Sequence, residues 1–151
     1  MEIDVASGDI SAQDVAAVVV NLFEGVETPG GATGAVDRAL DGAISGLIAD
    51  GETKGKRGEI TLVHTLGKMA PARVLVLGLG KVEEFDVEAA RSVAGAAARR
   101  LRRLGVTKAA TVAHGVGVGG LDPHVSAKAI AEGTLLGLYR FDKYKKKAED
   151  R

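Results

Sequence analysis

The run Val15-Ala16-Ala17-Val18-Val19-Val20-Asn21-Leu22 is apolar at all but one position, and it limits the fold more than any other part of the chain. A strand with one wet face alternates apolar and polar residues; a strand without that alternation has to be covered on both faces. The coverings are readable. Val36, Leu40, Ile44, Leu47 and Ile48, with Ala39 and Ala43, fall on one face of a helix, while Asp37, Arg38, Asp41 and Asp50 lie off it. Ala90, Ala94, Ala97, Leu101 and Leu104 mark a second helix that ends at Gly105, its Ala-rich stripe toward the sheet and its arginines in water. Ile3 to Ala6, Glu59 to Thr65 and Arg73 to Leu77 read as further strands, and Ala109 to Ala113 as another buried one. Asp122 caps a third helix with Pro123 in its first turn, running to about Tyr139 and anchored to the sheet by Leu135, Leu136 and Leu138. Strands alternating with helices predict an α/β sandwich with a mixed, largely parallel central sheet.

A chain of 151 residues is about one domain long. With 46% apolar but only 3% aromatic residues, its core has to be aliphatic. The absence of Cys excludes disulfides, thiolate metal sites and a cysteine nucleophile, which suits a reducing cytosol. No stretch has the length of a membrane span, and Met1-Glu2-Ile3-Asp4-Val5 is unlike a signal peptide, so a soluble, cytoplasmic protein is expected. Beyond Phe141 and Tyr144 the text is polar, which places a domain over 1–141 and a linker over 142–151. The zero formal charge is uneven: residues 1–55 carry 2 basic and 10 acidic side chains, residues 56–151 carry 18 and 10.

Catalytic chemistry is hard to assemble from these residues. His64, His114 and His124 sit at two strand ends and a helix start, without the spacing of a helical zinc site, and read as structural or surface histidines. Ser45 lies within a helix and no G-x-S-x-G elbow is present. Gly78-Leu79-Gly80-Lys81 follows a strand but lacks the third glycine or Ser/Thr of a phosphate loop, and reads as a turn leaving the sheet. Pro29-Gly30-Gly31-Ala32-Thr33-Gly34 directly precedes a helix, where backbone amides and the helix dipole favour an anion. Arg99, Arg100, Arg102 and Arg103 offer a possible nucleic-acid contact; the alternative is a basic helix end favoured by its own dipole.

Two resemblances sharpen this. Ser7-Gly8-Asp9-Ile10, the strand ending at Asn21, and the glycine loop through Gly34 to Leu40 resemble the opening of a macro domain. That likeness implies a three-layer α/β/α sandwich and an ADP-ribose or nucleotide site, with Asp9 facing the adenine, Asn21 the distal ribose, and Gly30, Gly31 and Gly34 the phosphates. The departure is Leu22-Phe23-Glu24 after Asn21, where Glu24 brings negative charge toward a diphosphate. More of the chain resembles the amino-terminal domain of the leucyl (cytosol) aminopeptidases, whose fold is macro-like. The residues that carry this are Val76-Leu77-Gly78-Leu79-Gly80-Lys81, then Phe85, Arg91 and Gly95 to Arg99, and finally Ala131-Glu132-Gly133-Thr134-Leu135-Leu136-Gly137-Leu138-Tyr139-Arg140-Phe141-Asp142-Lys143-Tyr144-Lys145. The family resemblance implies a non-catalytic domain of a metallopeptidase that releases amino-terminal residues from peptides. It also implies that the two divalent metal ions, zinc or manganese, belong to a catalytic domain of the same polypeptide, and that the full-length enzyme is a hexamer. No catalytic or metal residue is expected in this chain.

Overall fold

The computed structural model of the protein describes residues 9–116 and 119–149. The expected strand Ile3 to Ala6, with Ser7 and Gly8, lies outside the described residues. A sheet of four strands runs in the order β2-β3-β1-β4, with β1 Ala17–Phe23, β2 Ile60–His64, β3 Arg73–Gly80 and β4 Ala109–Thr111. Strand β1 is parallel to both neighbours, β3 and β4, and β2 pairs antiparallel with β3. The helices are α1 Gly31–Ala39, α2 Ala43–Ala49, α3 Val87–Arg103 and α4 Pro123–Glu149.

The apolar run behaves as its composition demands. Alternate residues of β1 enter opposite cores: Val18, Val20 and Leu22 pack with Val74 and Val76 under Val36, Leu40 and Ile44 of the α1–α2 layer. Val19 instead joins Leu75, Leu77 and Leu79 beneath Ala89, Ala90, Val93 and Ala97 of α3. This is a three-layer α/β/α sandwich, as the macro-domain resemblance implies, with the mixed, largely parallel sheet that the alternation of strands and helices predicts.

Several local expectations are corrected. The single helix expected over Val36 to Ile48 is two helices, because Asp41 (φ 56°) and Gly42 (φ 83°) turn left-handed between them. The break keeps Leu40 and Ile44 in one core, so the apolar period runs through a point where the backbone does not. Asp37, expected off the buried face, is itself buried: its carboxylate accepts from the Ser45 amide at 2.9 Å and from the Ser45 hydroxyl, capping α2. Ser45 thereby has a structural use.

Gly78 and Gly80 are the end of β3 and not a turn leaving the sheet. Residues 55–59 cross directly over them, with the Gly80 amide donating to Gly55 O at 2.8 Å and the Gly58 amide to Gly78 O at 3.0 Å. A Cβ at Gly78 would lie 2.0 Å from the Lys56 carbonyl oxygen, so only glycine fits there. The crossing is held by Glu59, whose carboxylate accepts from the Lys54 and Gly55 amides at 2.7 and 3.0 Å.

Strand β4 is three residues long and largely exposed, in place of the buried strand expected over Ala109 to Ala113; its one partner among the described strands is β1, which leaves it at the sheet edge. Leu135 and Leu136 do not anchor α4, being 49% and 53% exposed. Instead α4 lies on α3 through glycine: a Cβ at Gly133 would meet Arg91 O at 2.2 Å, and one at Gly137 would meet Gly95 O at 2.9 Å. Arg91, expected in water, is part-buried and bonds Glu132 of α4 at 3.3 Å. The Asp122 cap is as expected, its carboxylate accepting from the His124 amide at 2.8 Å, but the helix continues to Glu149, well past Tyr139 and through most of the segment expected as a linker.

Candidate functional site

In an open sheet of parallel strands, ligands are received at the carboxyl ends, where neighbouring strands send their connections apart. Here that place lies between β1 and β4, each followed by a glycine-rich loop and a helix. Asn21 stands near the end of β1. Its backbone N–H and C=O both meet the Thr33 hydroxyl, at 3.3 and 2.7 Å, which fixes the first turn of α1 against the strand. Asn21 and the glycine loop are therefore brought together, as the sequence reading requires.

The individual glycines have separate reasons. Gly31 takes a positive φ of 55°. Gly34 has no room for a side chain, since a Cβ would lie 2.7 Å from Pro29 O, and its amide donates to Gly30 O at 2.9 Å, so it is spent within the helix. Gly30 precedes α1 with open space around it and no side-chain cap at that helix start. Asp9 turns inward on its own segment: its carboxylate accepts from the Ser11 amide at 2.9 Å and the Ser11 hydroxyl at 2.7 Å. Those bonds hold its pKa below the ordinary carboxylate value.

The side chain of Asn21 is also engaged. Its Nδ2 lies 3.0 Å from Nδ1 of His114, a residue only 1% exposed. The other ring nitrogen is 3.3 Å from Thr111 Oγ1. Burial pushes the imidazole down to about 4, so it is neutral near pH 7. Sequence reasoning places His114 at a strand end without a role, and the loop after it without a function. The available signal was Gly115, Gly117, Gly119 and Gly120 following a strand, the same arrangement as the first glycine loop.

The remaining candidates lie elsewhere. Arg99, Arg100, Arg102 and Arg103 occupy the end of α3, beside the start of β3, where Arg73 donates to Leu104 O at 3.0 Å. That is the opposite end of the sheet from Asn21. Arg102 and Arg103 are exposed, Arg99 and Arg100 half-buried. An open cavity of about 340 Å³ lined by His64, Leu66, Met69, Ala70 and Ala72 is at this far end too. Its Thr65 hydroxyl is used by Pro71 O at 2.7 Å, so the cavity offers little polar chemistry. Among the described residues no group of three or more His, Cys, Asp or Glu side chains could hold a metal ion. No helix among them is long and apolar enough to cross a membrane.

Comparison with known proteins agrees with this arrangement. The model of the cytosol aminopeptidase family, N-terminal domain, matches residues 19–148. A probable cytosol aminopeptidase of Alkaliphilus metalliredigens is 36% identical over 99% of this chain and 30% of its own length. The chain spans 30% of that relative's length and 29% of the length of a probable cytosol aminopeptidase of Geobacter sulfurreducens, to which it is 36% identical over 97% of its own residues. Among solved structures, the macrodomain of Mycobacterium tuberculosis DarG superposes with a TM-score of 0.70 at 22% identity, covering 87% of this chain and 88% of that one. The Oceanobacillus iheyensis macrodomain with ADP has a TM-score of 0.66 at 15% identity, covering 83% and 70%. The fold is macrodomain-like.

Proposed function

The chain belongs to the cytosol aminopeptidase family, matching its N-terminal domain, and we propose that it is the non-catalytic, structural and assembly domain of a leucyl aminopeptidase. The observation that carries this is a match over nearly the whole chain to 29–30% of two relatives, which leaves the greater part of those proteins for other work. The relatives' name supports a cytoplasmic peptidase that releases amino-terminal residues. The partners on this reading are a catalytic domain of the same polypeptide and further copies of the chain in a hexamer, with 142–151 leading toward that domain.

The two divalent ions of such an enzyme do not fit here. His64 and His124 are exposed and His114 is buried among uncharged partners, so the described residues offer no converging ligand set. No step of peptide hydrolysis is assigned to them. The purified chain, with zinc or manganese added, is expected to leave a leucine anilide intact. Chelator-sensitive turnover that disappears with a point substitution in this chain would overturn the reading.

A second reading, an ADP-ribose or nucleotide module, is favoured by the likeness to the macrodomain solved with ADP. Against it stand the Asp9 carboxylate turned onto Ser11, the Asn21 amide held by His114 and the Gly34 amide spent on Gly30. Saturable ADP-ribose binding in a calorimeter, lost in Asn21→Ala, would favour this second reading. Nucleic-acid binding through Arg99, Arg100, Arg102 and Arg103 is the third and weakest, since no aromatic residue interleaves the cluster.

A further inference from the structure

His114 is the most deeply buried ionisable side chain among the described residues, and the reading above gives it no work. An amide nitrogen only donates, so the ring nitrogen facing Asn21 Nδ2 is the bare acceptor, and the proton sits on Nε2, directed at Thr111 Oγ1. The main-chain carbonyl of the same residue accepts from the fully buried Ser126 hydroxyl at 2.6 Å. One residue thus joins the central strand β1, the edge strand β4 and the first turns of α4. The rest of that corner is held at the margins of the two cores, Ala110 and Val112 against one, Leu121 and Ala129 with the other. The β1–β4 ladder is three pairs long, Ala17 to Val19 with Ala109 to Thr111. Neither aliphatic cluster includes the side chains of Thr111, His114 or Ser126.

We propose that His114 is a latch that keeps β4 and the head of α4 on β1 only while its imidazole is uncharged. Among the described residues its hydrogen-bond partners are uncharged: Asn21 from β1, Thr111 from β4 and Ser126 from α4, with the Phe85 ring pressed on the adjoining Gly115. The ionisable groups nearest these contacts along the chain are Glu24 after β1, Lys108 before β4, Asp122, His124, Lys128 and Glu132 on the first turns of α4 or just before them, and Glu83, Glu84, Asp86 and Glu88 around Phe85. None of them offsets the burial, which alone depresses the ring. A second proton would set an N–H against the Asn21 amino group. Turning that carboxamide would supply an acceptor but not the water the cation has lost.

The sign follows from linkage. The closed form has the lower pKa, so the open form takes up the proton; the latch is fully effective above about pH 6.5 and weakens as the pH falls toward about 4. Nitrogen-15 NMR on the whole chain tests this. The His114 ring should remain the neutral Nε2–H tautomer to near pH 5. Further acidification should shift or broaden the amides of 109–116 and 119–126 with one midpoint, before those of 74–77 and 36–44 respond. In His114→Gln, whose carboxamide does not titrate, that early transition should be lost. A ring titrating near 6.5, the same midpoint in His114→Gln, or all amides moving together would each overturn the proposal. Should His114→Gln not fold, the wild-type titration decides alone.

Discussion

One face of the sheet is covered by large side chains on a broken helix, the other by small side chains on an unbroken one. Val36, Leu40 and Ile44 fill the first face, and the chain between α1 and α2 can turn at Asp41 and Gly42 without losing that contact. On the second face Ala89, Ala90 and Ala97 bring α3 close to Leu75, Leu77 and Leu79, and α4 lies on α3 at backbone distance through Gly133 and Gly137. The charge divides in the same sense: the acidic stretch 1–55 supplies the first layer and the arginine-rich remainder the second. Bulk tolerates irregular backbone because each side chain reaches across a gap. Close approach does not, because there is no gap to adjust.

Substitutions can break or sharpen that contrast. The largest effect is expected for Ala97→Glu, which puts a charge into the 5%-exposed seam between α3 and the sheet; a loss of several kcal/mol, on the order of 4, is expected in urea unfolding. A variant that unfolds at the parental midpoint would mean that this face of α3 is misassigned. Next is Gly133→Ala. The added carbon would collide with the Arg91 carbonyl at 2.2 Å, so α4 has to move off α3, and a loss of about 2 kcal/mol is expected. The smallest effect has the opposite sign. Gly46→Ala in α2 meets nothing within 4 Å and should stabilise by about 0.5–1 kcal/mol, chiefly by restricting the unfolded chain. If the two glycine substitutions shift thermal melting in the same direction, the contrast between the faces fails.

Much of this was legible in the sequence, and the misses share a cause. Periodicity reports which residues are buried, so β1 and α3 were readable, as was the Asp122 cap, a purely local device. It does not report whether the backbone is continuous, so the turn at Asp41 and Gly42 was hidden inside an unbroken apolar pattern. Nor does it distinguish a helix held by its leucines from one held by its glycines, so Leu135 and Leu136 were given the work that Gly133 and Gly137 do. The position of Asn21 beside the glycine loop was legible from the strand–loop–helix order. Its bond to His114 was not, because the two are 93 residues apart and no short-range pattern links them.

The segment 55–59 lying across β3 has a consequence for sequence drift. Gly55 and Gly78 each face backbone atoms closer than a side chain allows: Phe23 O at 2.5 Å and Lys56 O at 2.0 Å. The Glu59 carboxylate collects the amides that hold the crossing in place. None of these positions can change by itself without displacing the others, and a descendant that fills one of the glycines must reroute the whole crossing. The Gly78-Leu79-Gly80 signature can thus persist through divergence as a record of where one stretch of chain passes over another, with no ligand required to preserve it.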